Sequence, residues 1–151
     1  MANLFRPGAV TIPCYMVGPA DRADFSPAAG GPVHKVLSTF ALGCEMEWAA
    51  RLFVPEMKGA DGVGVGTELF IWHHAPAFAS ETVVVTVTFD ALHGANLCCA
   101  VEARVGPRLV ATGTTGQHIG ARARRAAHFA ALQAAAPAPS GPYHFLGLAD
   151  N

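Results

Sequence analysis

The chain has 151 residues, enough for one domain with a real core; 52% are hydrophobic and only 14% charged. That balance excludes disorder and is thin in the charge that solvates a monomer, so a second subunit is expected to cover part of the apolar surface. A net charge of −1, from 10 basic and 11 acidic residues, excludes the broad positive field that attracts nucleic acid or an anionic membrane. No run approaches the ~18 apolar residues of a membrane span, and Met1 to Pro7 lacks the basic-then-apolar order of a signal peptide, so a cytoplasmic protein is expected.

The first ~35 residues are rich in Gly, Pro and Ala, with one apolar stretch, Val10 to Val17, that reads as an edge strand interrupted by Pro13. From Ser38 to Met57 the apolar residues Leu42, Met46, Ala49, Ala50 and Phe53 recur at helical spacing, with Ser38 or Thr39 as N-cap and Gly59 beyond the end. A strand follows over Val63 to His74. The period is then two: in Glu81 to Phe89, Val83, Val85, Val87 and Phe89 share a face, and in Leu97 to Val105 the face is Leu97, Cys99, Val101, Ala103 and Val105. His93-Gly94-Ala95-Asn96 and Gly106-Pro107 supply turns, and a last strand runs from Arg108 to about His118.

A short helix is expected over Arg124 to Ala135, inside a domain spanning 1–136, before an Ala/Pro-led tail at 137–151. The class is α+β, one long helix laid against an antiparallel sheet. The cysteines, Cys14, Cys44, Cys98 and Cys99, show neither C-x-x-C nor zinc-finger spacing and read as buried thiols.

Three residues invite chemistry. Glu47 lies on the edge of the helix's apolar stripe, where a carboxylate is costly unless paired or used in proton transfer; Glu45 points about 200° away from it. His73 shares a strand face with Thr67, Leu69 and Ile71, so it is either a core histidine satisfied by one bond or an acid–base group. Neighbouring His74 falls on the opposite face, so the two do not chelate one metal ion. Thr39 stands at the helix start and reads most simply as an N-cap. An unbroken helix would separate Thr39 from Glu47 by about 12 Å, so joint action needs Thr39 folded back over the site or a substrate spanning the gap.

The run Ser38-Thr39-Phe40-Ala41-Leu42-Gly43-Cys44-Glu45-Met46-Glu47-Trp48-Ala49, followed by Gly64-Val65-Gly66-Thr67 and His73, resembles the fluoroacetyl-CoA thioesterase-like branch of the hotdog superfamily. The likeness continues through Thr82-Val83-Val84-Val85-Thr86-Val87-Thr88 and Ala111-Thr112-Gly113-Thr114, covering roughly 35–120. The resemblance implies a hotdog fold, a homodimer with two active sites near the subunit interface, and a catalytic trio of Thr39, Glu47 and His73. The implied reaction is hydrolysis of an acyl thioester carried by coenzyme A or a carrier protein, with no metal or organic cofactor. Glu47 and His73 would move protons, Thr39 would be nucleophile or positioning hydroxyl, and N–H groups around Gly66 could meet the carbonyl oxygen.

Phe25, Phe40, Gly66 and Gln117 are the candidate substrate contacts. Two of these mark departures from the family. Its lid carries a cluster of phenylalanines, whereas Asp24-Phe25-Ser26-Pro27-Ala28-Ala29-Gly30-Gly31 offers Phe25 alone, so a fluoroacetyl preference is not carried over. Where the family tends to place a basic residue for the carrier's phosphates this chain has Gln117, for which Arg122, Arg124 and Arg125 could substitute.

Two other readings compete. A hotdog dehydratase would use His34 with Glu47, although the Phe-Pro-Gly surroundings of that arrangement are missing. A non-catalytic hotdog protein would bind an acyl chain or small hydrophobic ligand on the same scaffold.

Overall fold

A computed structural model describes residues 5–22 and 34–135. Phe25, the rest of the expected lid and the tail from 137 lie outside the described residues. In chain order the elements are β1 (Val10–Thr11), β2 (Cys14–Met16), α1 (Thr39–Arg51), α2 (Val54–Met57), β3 (Gly62–His73), β4 (Thr82–His93), β5 (Asn96–Val105), β6 (Arg108–Ala121) and α3 (Arg122–Ala135). The six strands form one antiparallel sheet in the order β1-β4-β5-β6-β3, with β2 also paired to β4. Among the described residues no helix is long and apolar enough to cross a membrane.

Alternation builds the sheet. Val83, Val85, Val87 and Phe89 of β4 and Leu97, Cys99, Val101 and Ala103 of β5 are buried, while Thr82 and Val84 face out. The turns between β4 and β5 and between β5 and β6 place Gly94 and Gly106 at φ of 62° and 54°, the left-handed region that glycine enters without steric cost. The sheet curls over α1, whose Leu42, Met46, Ala49 and Ala50 are at most 0% exposed. Phe53 extends this core, its ring 4.9 Å from that of Phe5 and 6.1 Å from that of Phe89. Each large apolar side chain so buried contributes about 1.5–3 kcal/mol relative to exposure.

The expected helix over Ser38–Met57 is divided. α1 ends at Arg51 and a separate turn, α2, runs from Val54. Pro55 explains the break: it has no N–H to give the carbonyl of residue 51, and its ring crowds that turn. Pro13 likewise splits the first strand into β1 and β2, which sit at the edge as expected.

The cysteine expectation needs correction. Cys99 is buried and Cys98 half-buried, but Cys14 and Cys44 are exposed. Cys14 occupies an outward position of a three-residue edge strand, and Cys44 lies on the side of α1 turned away from the sheet.

β3 pairs with β6 along one side, and its other edge meets no strand among the described residues. Phe70 and Trp72, on its outer face, are 55% and 63% exposed. On α1, Phe40, Cys44 and Trp48, spaced by four, form a second exposed stripe. A long, apolar, open edge of this kind is a surface that proteins normally cover.

Candidate active site

The seam between α1 and β3 holds Thr39, Glu47, Gly66 and His73, and Gln117 of β6 adjoins it. The two elements run antiparallel: Thr39 meets His73, Gly43 faces Ile71 and Glu47 lies on Gly66, and beyond α1 Val54 of α2 lies on Gly64. His34 is exposed and precedes the helix.

At the N-terminal end of α1, Ser38 rather than Thr39 is the N-cap; its Oγ accepts the Ala41 N–H at 3.0 Å. Thr39 is thereby free of the capping role, and its Oγ1 lies 3.0 Å from His73 Nδ1. The other ring nitrogen, His73 Nε2, is buried with no partner. A hydroxyl that donates to Nδ1 requires the proton on Nε2, and a buried N–H needs an acceptor. None of the described residues provides it. His74, on the opposite face, stacks on Trp72 and bonds Thr112 Oγ1 at 2.8 Å.

Glu47 sits two helical turns along, about 12 Å from Thr39 because α1 is unbroken between them. Its carboxylate rests directly on Gly66: a Cβ at that position would stand 2.8 Å from the carboxyl carbon. Gly64 gives α2 the same access, since a Cβ there would stand 2.7 Å from Val54 Cγ1. The Gly-x-Gly spacing in β3 therefore lets the helical segment descend onto the strand at two places. Glu47 is half-buried and has no hydrogen-bond or ion-pair partner among the described residues.

Gln117 is paired in register with Gly66, so its side chain leaves the same face of the sheet, next to Glu47. It is 0% exposed. Its Oε1 faces Arg51 Nη1 at 3.5 Å, and Arg51 also donates to Gly64 O at 3.1 Å. Because Arg only donates, the amide oxygen must be the end that faces it, which leaves Nε2 as a buried donor without a partner. Arg51 was not singled out above; its position four residues after Glu47, on the same helix face, was the available signal.

Glu45 turns the other way. Burial, and then the neighbouring Asp21 carboxylate, raise its pKa above the ordinary carboxylate value. Burial first, with Glu45 and Asp21 beside it, also pushes the Tyr15 phenol well up. Phe40 is 83% exposed next to Thr39. No three His, Cys, Asp or Glu side chains converge as a metal site among the described residues.

Solved structures with the same chain path define the class. A Thermus thermophilus hypothetical protein described as a thioesterase superfamily member matches with TM-score 0.81 at 26% identity, over 86% of this chain and 94% of its own. A hot-dog-like protein from Thermanaerovibrio acidaminovorans gives 0.77 at 21%, over 85% and 93%. A fluoroacetyl-CoA thioesterase gives 0.78 at 20%, over 89% and 100%. The fold is a hotdog fold. A comparison with curated protein sequences finds no match. The family model for fluoroacetyl-CoA-specific thioesterase matches residues 17–123, and the chain belongs to that family.

Proposed function

We propose that this protein hydrolyses an acyl thioester, presented by coenzyme A or a carrier protein, as a homodimer whose two sites each draw Thr39 and His73 from one subunit and Glu47 from the other. The observation that carries this reading is the unfinished hydrogen-bond chain at His73: Nδ1 faces Thr39 Oγ1 at 3.0 Å while Nε2 is buried without an acceptor. A carboxylate without a partner lies on the same seam, too far along α1 to close the chain within one subunit.

The open edge of β3 offers the solution. Two such edges pairing antiparallel about a two-fold axis near Leu69 and Phe70 bring the partner's Gly66 and the partner's Glu47 alongside His73. The same contact covers Phe70 and Trp72. The high apolar content and low charge of the chain support such burial.

In that arrangement Thr39 Oγ1 attacks the thioester carbonyl as His73 Nδ1 takes its proton, with Nε2–H held by the partner's Glu47. The carbon–sulfur bond breaks, the proton on His73 passes to the leaving thiolate, and an acyl ester on Thr39 remains. Water, activated by the same His73, then releases the free acid.

The test uses thiol release from short, branched and aromatic acyl-CoA and acyl-pantetheine thioesters. His73→Ala and Glu47→Gln should each be inactive alone. Subunits of the two variants, mixed and exchanged, rebuild one intact site in each heterodimer, and so about a quarter of wild-type activity. A mixture that stays as inactive as its components excludes the shared site, and a wild-type protein that cleaves none of the thioesters excludes the reaction.

A further inference from the structure

Six buried side-chain polar atoms lack a hydrogen-bond partner among the described residues. Two of them, Thr115 Oγ1 and Gln117 Nε2, lie two residues apart on β6. Gly113 shows which way these side chains point: a Cβ there would stand 3.0 Å from Met46 Cε of α1, so residues 113, 115 and 117 face the helix. Their partners in register on β5, Val101, Cys99 and Leu97, are all buried, and no bulge interrupts the pairing over this stretch. Thr115 is 2% exposed and Gln117 0%.

Neither atom serves the fold. Thr115 pairs with Leu69 on one side and Cys99 on the other, and Gln117 pairs with Leu97. In such surroundings an aliphatic side chain of the same shape fills the space without stranding a donor. The Gln117 amide is also aimed. Arg51 Nη1, 3.5 Å from Oε1, engages the acceptor end, which leaves Nε2 as a free donor beside Glu47. Thr115 adds a hydroxyl that both donates and accepts.

Resting on the thioesterase reading and its shared site, we propose that Thr115 and Gln117 line the acyl end of that site. There they select a short acyl group carrying a neutral oxygen substituent, a hydroxyl or a ketone, over the plain alkanoyl group of the same length. With the two-fold axis near Leu69 and Phe70, the partner's Gly66 lies opposite His73, and the partner's Gln117 is one strand further, about 10 Å from His73 across two strand spacings. The partner's Thr115 follows on the same inner face, about 7 Å along the strand. The cover over Gln117 is the flexible Glu47 side chain resting on Gly66; as it turns to the His73 of the other subunit, it uncovers the amide. Gln117 then demands an acceptor, which an alkyl chain lacks. Glu47, a carboxylate without an ion-pair partner among the described residues, repels an acyl group that ends in a carboxylate, so the substituent is uncharged. Leu69, Leu97 and Met46 supply an apolar lining for the rest of the chain.

The experiment compares the wild type with Thr115→Val, Gln117→Leu and Thr115→Ser on butyryl-, 3-hydroxybutyryl-, 3-oxobutyryl- and succinyl-CoA and the matching acyl-pantetheines. In the wild type, kcat/KM for the hydroxy or the oxo substrate should exceed that for butyryl at least about tenfold, because a site built to hydrogen-bond a substituent discriminates more sharply than an apolar one. Succinyl should fall below butyryl. Thr115→Val and Gln117→Leu should each lower the oxygenated-to-butyryl ratio at least about fivefold. Thr115→Ser keeps the hydroxyl and should keep the ratio. Denaturant unfolding reports on the fold: apolar replacements of unpartnered buried atoms should be as stable as the wild type or more so.

A wild type that cleaves butyryl as fast as the oxygenated substrates overturns the proposal. Fastest turnover of succinyl overturns it in favour of an anionic acyl group. So do variants that lose stability with the ratio unchanged, the outcome expected if a buried water bridges Thr115 and Gln117. If no thioester is cleaved, calorimetry with the uncleavable thioethers S-butyl- and S-(3-oxobutyl)-CoA decides. Tighter binding of the oxo ligand, lost in Gln117→Leu, leaves the acyl pocket standing while the hydrolytic reading fails; equal binding, or none, removes the pocket as well.

Discussion

The two ends of the α1–β3 seam carry the two halves of the proposed site. At the Thr39–His73 end a hydroxyl and an imidazole meet at 3.0 Å on an accessible surface, and the ring nitrogen that needs an acceptor has none among the described residues. At the Gly66–Gln117 end a carboxylate without a partner lies over bare backbone, beside a fully buried amide whose N–H donors are also unused. Unused buried polar atoms cost stability, and two of those among the described residues, His73 Nε2 and Gln117 Nε2, stand near opposite ends of this seam. The difference teaches that a rigid helix holds Thr39 and Glu47 apart, so that on the proposed reading only a two-fold axis would bring the parts together.

The largest effects should come from removing either half. His73→Ala and Glu47→Gln are each expected to lower kcat by about 10²–10⁴-fold with unchanged circular dichroism, the usual reach of general acid–base groups. Near-wild-type turnover in either variant would detach that end from the reaction. Breaking the link between the ends should do nearly as much. Phe70→Lys places a charge on the β3 edge, and sedimentation should show a shift from dimer to monomer together with loss of activity. An active monomer would mean that each seam works alone.

Gly66→Ala sharpens the comparison at one end. The new Cβ must displace the Glu47 carboxylate, and a shift of about 1 Å is expected to cost about a hundredfold in kcat. Gly59→Ala, where an added Cβ meets nothing within 4 Å, should behave as wild type in the same assay. Phe89→Ala, in the buried cluster with Phe5 and Phe53, should cost about 3–5 kcal/mol in denaturant unfolding while leaving kcat little changed at low temperature.

The smallest effect concerns the thiols. Burial, then the neighbouring Cys98 and Asp90, push the Cys99 thiol up to about 12. Since the thiolate is the nucleophile, Cys99 stays protonated at pH 8 and should be the last to be labelled by maleimide in mass spectrometry. Cys14 should be labelled first. Cys44, on the Phe40–Trp48 stripe, should react faster in Phe70→Lys than in wild type if the dimer covers that stripe.

Much of the fold was legible. Period-two runs at Val83–Phe89 and Leu97–Ala103 identified strands because one face meets the core and the other meets water, and the helical spacing from Leu42 to Phe53 marked the central helix for the same reason. Where local signals met a competing constraint they misled: Pro55 divides the helix, and edge and outward positions expose Cys14 and Cys44. The site was legible in part. The nature and order of Thr39, Glu47 and His73 suggested chemistry and a family, but helical geometry also showed that Thr39 and Glu47 do not meet along one helix.

Composition, periodicity and motif order thus determined, before any coordinates, an apolar α+β domain, its strands and its main helix, because burial imprints a period on the chain itself. Tertiary structure alone decided that Ser38 caps the helix and frees Thr39 for His73, that Gly66 is a floor for Glu47, and that Arg51 holds Gln117. These contacts join residues far apart in the chain, and no local pattern records how closely a helix settles on a strand.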